Sequence, residues 1–223
     1  MKTKNIEKFN TLTQRQKKFA KTKIALLNAL LNELDRKELV TIKIKDLAHI
    51  AEVSEPTFFN YFDSKQHMLV YFVQLWSIEM QSIAIKIEKE SHSYVEAIKE
   101  IFQQTAKELS LHPTIMLEII AFQTSTISLI PHKITNAEKW LFFENIDEVE
   151  ILEGMGLESI LPPLLEKAKI SGELDSSTDT ELLFLMLSSL FFGTSLLILK
   201  QNPKVLPKLF EAELQLLFKK VSS

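Results

Sequence analysis

Apolar residues along this chain recur at helical spacing, and no stretch alternates as a strand does. Phe19, Ile24, Leu27, Leu30, Leu31 and Leu34 share one face, and Thr13 with Gln16 forms a capping box ahead of them. This predicts a long first helix that ends in the charged run Asp35-Arg36-Lys37-Glu38. A short helix is expected from Ile44 to Ala51, with Ile44, Leu47, Ala48 and Ala51 on one side. Glu52 and Val53 then make a tight connection. Ser54 is a good N-cap and Pro56 sits in the first turn, where its missing N–H costs nothing, so a third helix opens at Glu55 and runs to about Phe62. Asp63 and Ser64 interrupt it, and Ser64 caps a fourth helix from Lys65 to about Glu90. Further helices are expected over 93–111, from Pro113 to about Ser128, and from Thr135 to about Leu152. After the break Gly154-Met155-Gly156 come a short helix over 164–170, its start blurred by Pro162-Pro163, and two long ones over 178–199 and 205–221.

The chain has 223 residues with only 4 glycines and 7 prolines, too few for a turn-rich β architecture, so the expected class is all-α. Two units are expected: residues 1–65, with a basic arm over 1–23, and a helical bundle over 66–223. There are 0 cysteines, which excludes disulfides and thiolate metal sites. The N-terminus lacks the apolar core of a signal peptide, so a cytoplasmic location is expected. The net charge of −3 hides an asymmetry: residues 1–65 are basic, the remainder acidic. Lys17, Lys18, Lys21 and Lys23 concentrate the positive charge, which suits a polyanionic partner for the first unit alone.

The stretch VSEPTFFNYFDSK, Val53 to Lys65, sharpens that reading. At about 100° per residue, Phe58 and Phe62 fall roughly 40° apart and point inward, while Pro56, Thr57 and Asn60 form the opposite face. Phe59 and Tyr61 flank it. Two short helices joined by a tight turn, held against a longer first helix, make a helix-turn-helix, whose second helix presents its N-terminal residues to base edges in a major groove.

The segment IKIKDLAHIAEVSEPTFFNYFDSKQHML resembles the DNA-binding signature of the TetR family of transcriptional regulators, most closely at Asp46-Leu47-Ala48, Val53-Ser54, Thr57, Tyr61-Phe62 and Ser64-Lys65. The resemblance implies an N-terminal three-helix DNA-binding domain and a helical effector-binding and dimerisation domain. It also implies double-stranded DNA contacts from Lys43, Lys45, Ser54, Glu55, Pro56, Thr57, Phe59, Asn60, Tyr61 and Lys65. Three positions depart from the family's pattern: Lys43 replaces a helix-capping Ser or Thr, Phe59 replaces a tyrosine, and no glycine follows the first helix. Glu55 either favours a helix N-terminus or accepts from a cytosine amino group.

Residues 182–199 run without a charge. Such a run suits a membrane span or a helix buried in a dimer; only Lys200 follows, with no polybasic flank, which favours the dimer. The resemblance implies that the last two helices form the homodimer bundle, with Leu187, Leu190, Phe191, Gly193, Thr194, Leu197, Leu209, Phe210, Leu214 and Leu217 at the interface. A small apolar effector is the expected ligand, with Phe72, Phe102, Glu118, Phe122, Gln123, Phe143 and Phe184 as pocket candidates and Gln103 and Thr126 as further polar ones. No Ser/His/Asp order, glycine-rich phosphate loop or HExxH occurs, so neither an enzyme nor a cofactor is expected. The 5 histidines show no ligand spacing, and His112 and His132, each beside a proline, are expected in loops. An effector-independent DNA-binding protein is the alternative.

Overall fold

The computed structural model describes residues 3–124 and 130–221 of the chain, which form eleven α-helices and no strand among the described residues. Helix α1 spans Lys4–Thr11 and α2 spans Gln14–Leu34, and Thr13 and Gln16 close the capping box expected between them. Helix α3, Ile44–Ile50, and α4, Glu55–Phe58, follow a short 3-10 turn over Leu39–Thr41. The long α5, Lys65–Ser91, leads out of this head into the second unit. There α6, Tyr94–Leu111, and α7, Pro113–Gln123, are followed by α8, Asn136–Phe142. Helices α9, Leu161–Ser171, α10, Thr180–Ile198, and α11, Leu206–Val221, complete the fold. One apolar core runs from Leu26 and Leu30 in α2, through Phe58, Phe62 and Tyr71, to Phe102, Phe191 and Phe210.

Several elements differ from the expectation. The helix expected to reach Leu152 stops at Phe142, and the chain then turns through Glu148 at φ 52° and a 3-10 turn over Val149–Ile151. Asn145 and Asp147, whose side chains compete for the backbone, are poor helix formers, so no helix propagates there. Helix α9 begins at Leu161 rather than Leu164, with the two prolines in its first turn, where neither missing N–H is needed. The basic N-terminal arm holds a helix of its own, α1, ahead of α2, and α1 lies on the second unit: Asn5 Nδ2 donates to the carbonyls of Phe143 and Ile146, both at 2.7 Å, and Phe9 is buried with Ala20 and Ala137. Burial pushes the Glu150 carboxyl up, but hydrogen bonds from Lys8 and Trp140 outweigh it and hold the group at about 2.

Candidate DNA interface and effector cavity

The turn of the helix-turn-helix is fixed by the backbone. Val53 N–H donates to Ala48 O at 2.9 Å and Glu52 N–H to His49 O at 3.1 Å, while Glu52 sits at φ 56°. This is a Schellman closure, in which the left-handed residue is usually glycine; here a glutamate carries the strain, at a cost of about 1 kcal/mol. The next helix starts at once. Ser54 Oγ accepts from Thr57 N–H at 3.3 Å and lies 2.7 Å from Thr57 Oγ1. Only Glu55–Phe58 is regular α-helix; Asn60 and Tyr61 follow in i→i+3 turns, bonded to Thr57 O and Phe58 O. Tight winding keeps the phase of the wheel. Phe58 and Phe62 are buried at 0% and 1% exposure, while Glu55, Pro56, Phe59 and Asn60 are exposed. Thr57 and Tyr61 are half-buried, and the Tyr61 ring packs against Phe19 of α2 at 5.0 Å between centroids. Lys43 and Lys45 stand exposed at the start of α3, where Lys43 makes no side-chain cap.

Two lysines expected at phosphates are engaged elsewhere. Lys65 Nζ donates to the carbonyls of Leu39 and Ile42, so it ties the start of α5 to the turn after α2. Burial lowers its pKa, against an opposing pull from Glu118. Lys23 is buried in the middle of α2, with Nζ 2.9 Å from Glu138 Oε1 of α8 and 4.2 Å from the centroid of the Tyr71 ring. Its place in the basic arm is corrected by this packing: its neighbours at one helical turn, Phe19 and Leu27, lie on the apolar face of α2, and α8 covers that face.

The second unit encloses a cavity of about 320 Å³. Phe72, Val73 and Trp76 of α5 form one wall, Thr105 and Glu108 of α6 and Met116 and Ile119 of α7 others, and Phe184, Ser188, Phe191 and Phe192 of α10 close it. The turn from Met155 to Glu158 completes the lining, held to α5 by Ser77 Oγ, which accepts from Met155 N–H at 3.3 Å and Gly156 N–H at 3.2 Å. That turn lies so close to α5 that a Cβ at Gly154 would stand 2.0 Å from Gln74 O. Trp76 Nε1–H donates to Thr105 Oγ1 at 3.1 Å, and Thr105 Oγ1–H donates to Ile101 O at 2.8 Å, so both polar groups are satisfied within the wall. Ser188 Oγ is buried with no hydrogen-bond partner among the described residues. Burial raises the pKa of Glu108, and the neighbouring carboxylate of Glu79 adds to the rise. Among the described residues, no Lys, Arg or His lines the cavity.

Of the pocket candidates, Phe72, Gln123 and Phe184 line this cavity. Phe102 and Phe143 do not; they are core, at 0% and 5% exposure. Glu118 lies at the junction with the head, where Oε1 accepts from Leu39 N–H at 2.8 Å. Phe122 packs half-buried against the core, and Gln103 Nε2 donates to Pro207 O at 2.9 Å. Thr126 lies outside the described residues. Trp76, Ser188, Phe191 and the 155–158 turn were not among the pocket candidates; the regular spacing of Phe72 and Trp76 on one face of α5 was the available signal.

The residues expected at a dimer interface are divided by the fold. Leu187, Phe191, Phe210 and Leu214 are buried within the chain, at 0%, 2%, 0% and 1% exposure, because α10 lays Leu187 and Phe191 against α7, α9 and α11 of its own fold, and α11 packs on α6 and α10. Leu190, Gly193, Thr194, Leu209 and Leu217 are half-buried, and Leu197 is exposed. The face left open carries Leu182, Leu185, Met186, Ser189, Gly193, Leu196 and Leu197, a stripe roughly 120° wide opposite the buried one. A Cβ at Gly193 would meet nothing within 4 Å, so the stripe is open to close approach there.

No family model and no curated protein matches the sequence. Solved structures match the fold. The FadR repressor of Thermus thermophilus, crystallised with lauroyl-CoA, superposes with a TM-score of 0.60 at 17% identity, covering 87% of this chain and 92% of its own. FadR of Bacillus subtilis, in complex with stearoyl-CoA, gives 0.61 at 18% identity over 87% and 97%. The ketosteroid regulator KstR2 of Mycobacterium tuberculosis gives 0.54 at 11% identity over 90% and 95%. From its helix-turn-helix head to its closing bundle, the chain has the fold of the TetR family of transcriptional regulators.

Proposed function

We propose that the chain is a cytoplasmic transcriptional repressor that binds a pseudo-palindromic operator as a homodimer and is released by a small apolar effector. The observation that carries this is α5. One unbroken helix leaves the recognition segment at Lys65 and forms the cavity wall at Phe72, Val73 and Trp76, about 16 Å farther along the axis by Trp76. A ligand that repositions Trp76 therefore acts on the same rigid body that carries the head. A cavity of about 320 Å³ lies at the lower end of small-molecule pockets, and a mostly apolar wall with carboxylates but no cation suits the apolar body of an effector whose anionic groups stay outside. The acyl-CoA ligands of the two FadR neighbours share that division into an apolar chain and a charged head. Operator affinity measured with and without a panel of acyl and aromatic compounds tests this; a ligand that binds in the cavity and leaves operator affinity unchanged would leave only an effector-independent DNA-binding protein.

Two further results are expected. Asn60→Ala should lower operator affinity by about 1–3 kcal/mol and relax sequence preference, whereas Lys43→Ala should weaken binding to all DNA and reduce the salt slope by about 1. Gel-shift or anisotropy titrations at several salt concentrations separate the two. On the open stripe of α10, Leu197→Glu places a charge where a partner helix is expected, costing the dimer about 2 kcal/mol or more. Sedimentation should then show monomers at concentrations where the unmodified chain is dimeric.

A further inference from the structure

Away from the cavity, Asp63, His67 and His132 each offer one ligand atom, and these atoms all lie within 4.8 Å of one another. His67 Nδ1 is 3.0 Å from Asp63 Oδ2, and His132 Nε2 is 3.5 Å from the same oxygen. The two imidazole rings stand 3.9 Å apart between centroids. Ligands about 2.0–2.1 Å from a tetrahedral zinc ion are roughly 3.3 Å from each other, so both measured spacings fit edges of such a site. We propose that Asp63, His67 and His132 bind a first-row transition-metal dication, with Zn2+ the first candidate, at the junction between the DNA-binding head and the second unit.

The three side chains are held in place from both units. Asp63 and His67 are four residues apart at the start of α5, where Ser64 Oγ accepts from His67 N–H at 3.2 Å and fixes the first turn. His132 comes from the segment before α8, and Gln74 Nε2 anchors it by donating to His132 O at 3.1 Å. The His67 side chain is 3% exposed, and its Nε2 has no hydrogen-bond partner among the described residues, so its one polar contact is made with Asp63. Asp63 and His132 are 68% and 46% exposed, which gives an ion a way in and leaves room for water as a further ligand. Two imidazoles with one carboxylate select Zn2+, Co2+ or Ni2+ over Mg2+ and Ca2+, which take all-oxygen sets. Occupancy would join the residue that ends the recognition turn to α5 and to the segment before α8, holding the head in one orientation relative to the cavity. This adds a second input, independent of the cavity ligand.

The test uses the full-length chain without a histidine tag. Co2+ titration should give visible d–d absorption that saturates at one ion per chain, and Zn2+ should displace it and raise Tm. His132→Ala and Asp63→Asn, both at exposed side chains, should each weaken Co2+ binding by more than the about 10–100-fold typical of lost outer-shell partners and abolish the Zn2+ shift in Tm. His112→Ala, whose ring pairs with Asp35 at 2.8 Å away from the cluster, should bind Co2+ as the unmodified chain does. Absence of saturable Co2+ uptake, or uptake equal in both cluster variants and the unmodified chain, overturns the proposal and leaves a histidine–carboxylate hydrogen bond alone.

Discussion

Glu138→Ala is expected to destabilise the fold by about 3–5 kcal/mol, because it leaves the Lys23 ammonium buried without its counter-charge. The side chains of Lys23 and Glu138 are 3% and 0% exposed, so solvent does not screen the pair and cannot replace the lost partner. The Tyr71 face 4.2 Å from Nζ remains, but a ring quadrupole offsets only part of an ion's desolvation. The double variant Lys23→Met, Glu138→Leu should recover most of the loss, since removing both charges removes the uncompensated one. Urea unfolding with an unchanged m-value measures both. A single variant as stable as the unmodified chain would mean that the ammonium finds water in the folded state. The pair also has a place in the proposed switch. It pins α2 of the head to α8 of the second unit, beside the segment carrying His132, so Glu138→Ala should weaken the coupling of effector to operator in whatever protein still folds.

Phe191→Ala should cost about 3–5 kcal/mol as well, and for a different reason. Its ring is the hub of the second unit, with centroids 5.8 Å from Trp76, 5.2 Å from Phe102, 5.2 Å from Phe192 and 5.9 Å from Phe210. Truncation removes the buried ring area and leaves a void that these rings fill only in part. The void adjoins the effector cavity, so the variant should also accept bulkier apolar ligands. A smaller loss of stability is expected in the presence of such a ligand, which binds only the folded state. Thermal unfolding with and without ligand reads both effects. If Phe191→Ala lost stability yet bound every ligand as before, Phe191 would be core and not cavity wall.

Much of the head was legible because its geometry is local. Thr13, Ser54 and Ser64 each accept from the backbone N–H three residues on, and Phe58 and Phe62 turn inward by helical phase alone. The second unit was legible as helices but not as an arrangement. Helix α10 is apolar on nearly every side, so periodicity could not say which side faces the core; packing against α7, α9 and α11 chose Leu187 and Phe191 and left Leu182, Leu185 and Leu197 outside. Lys23 carried a warning, being a charge on an otherwise apolar face, but its partner lies 115 positions farther along the chain.

The same division holds for the proposed metal site. The four-residue spacing from Asp63, just before the cap of α5, to His67 in its first turn stands in the sequence, whereas His132 reaches them only through the fold. Caps, turns and phase are contacts between near neighbours, so the sequence by itself determined most of the helices and the helix-turn-helix, though not every helix end. Which apolar face is buried, which lysine loses its solvent, and which histidines meet depend on contacts between residues far apart in the chain, and only the tertiary structure decided those.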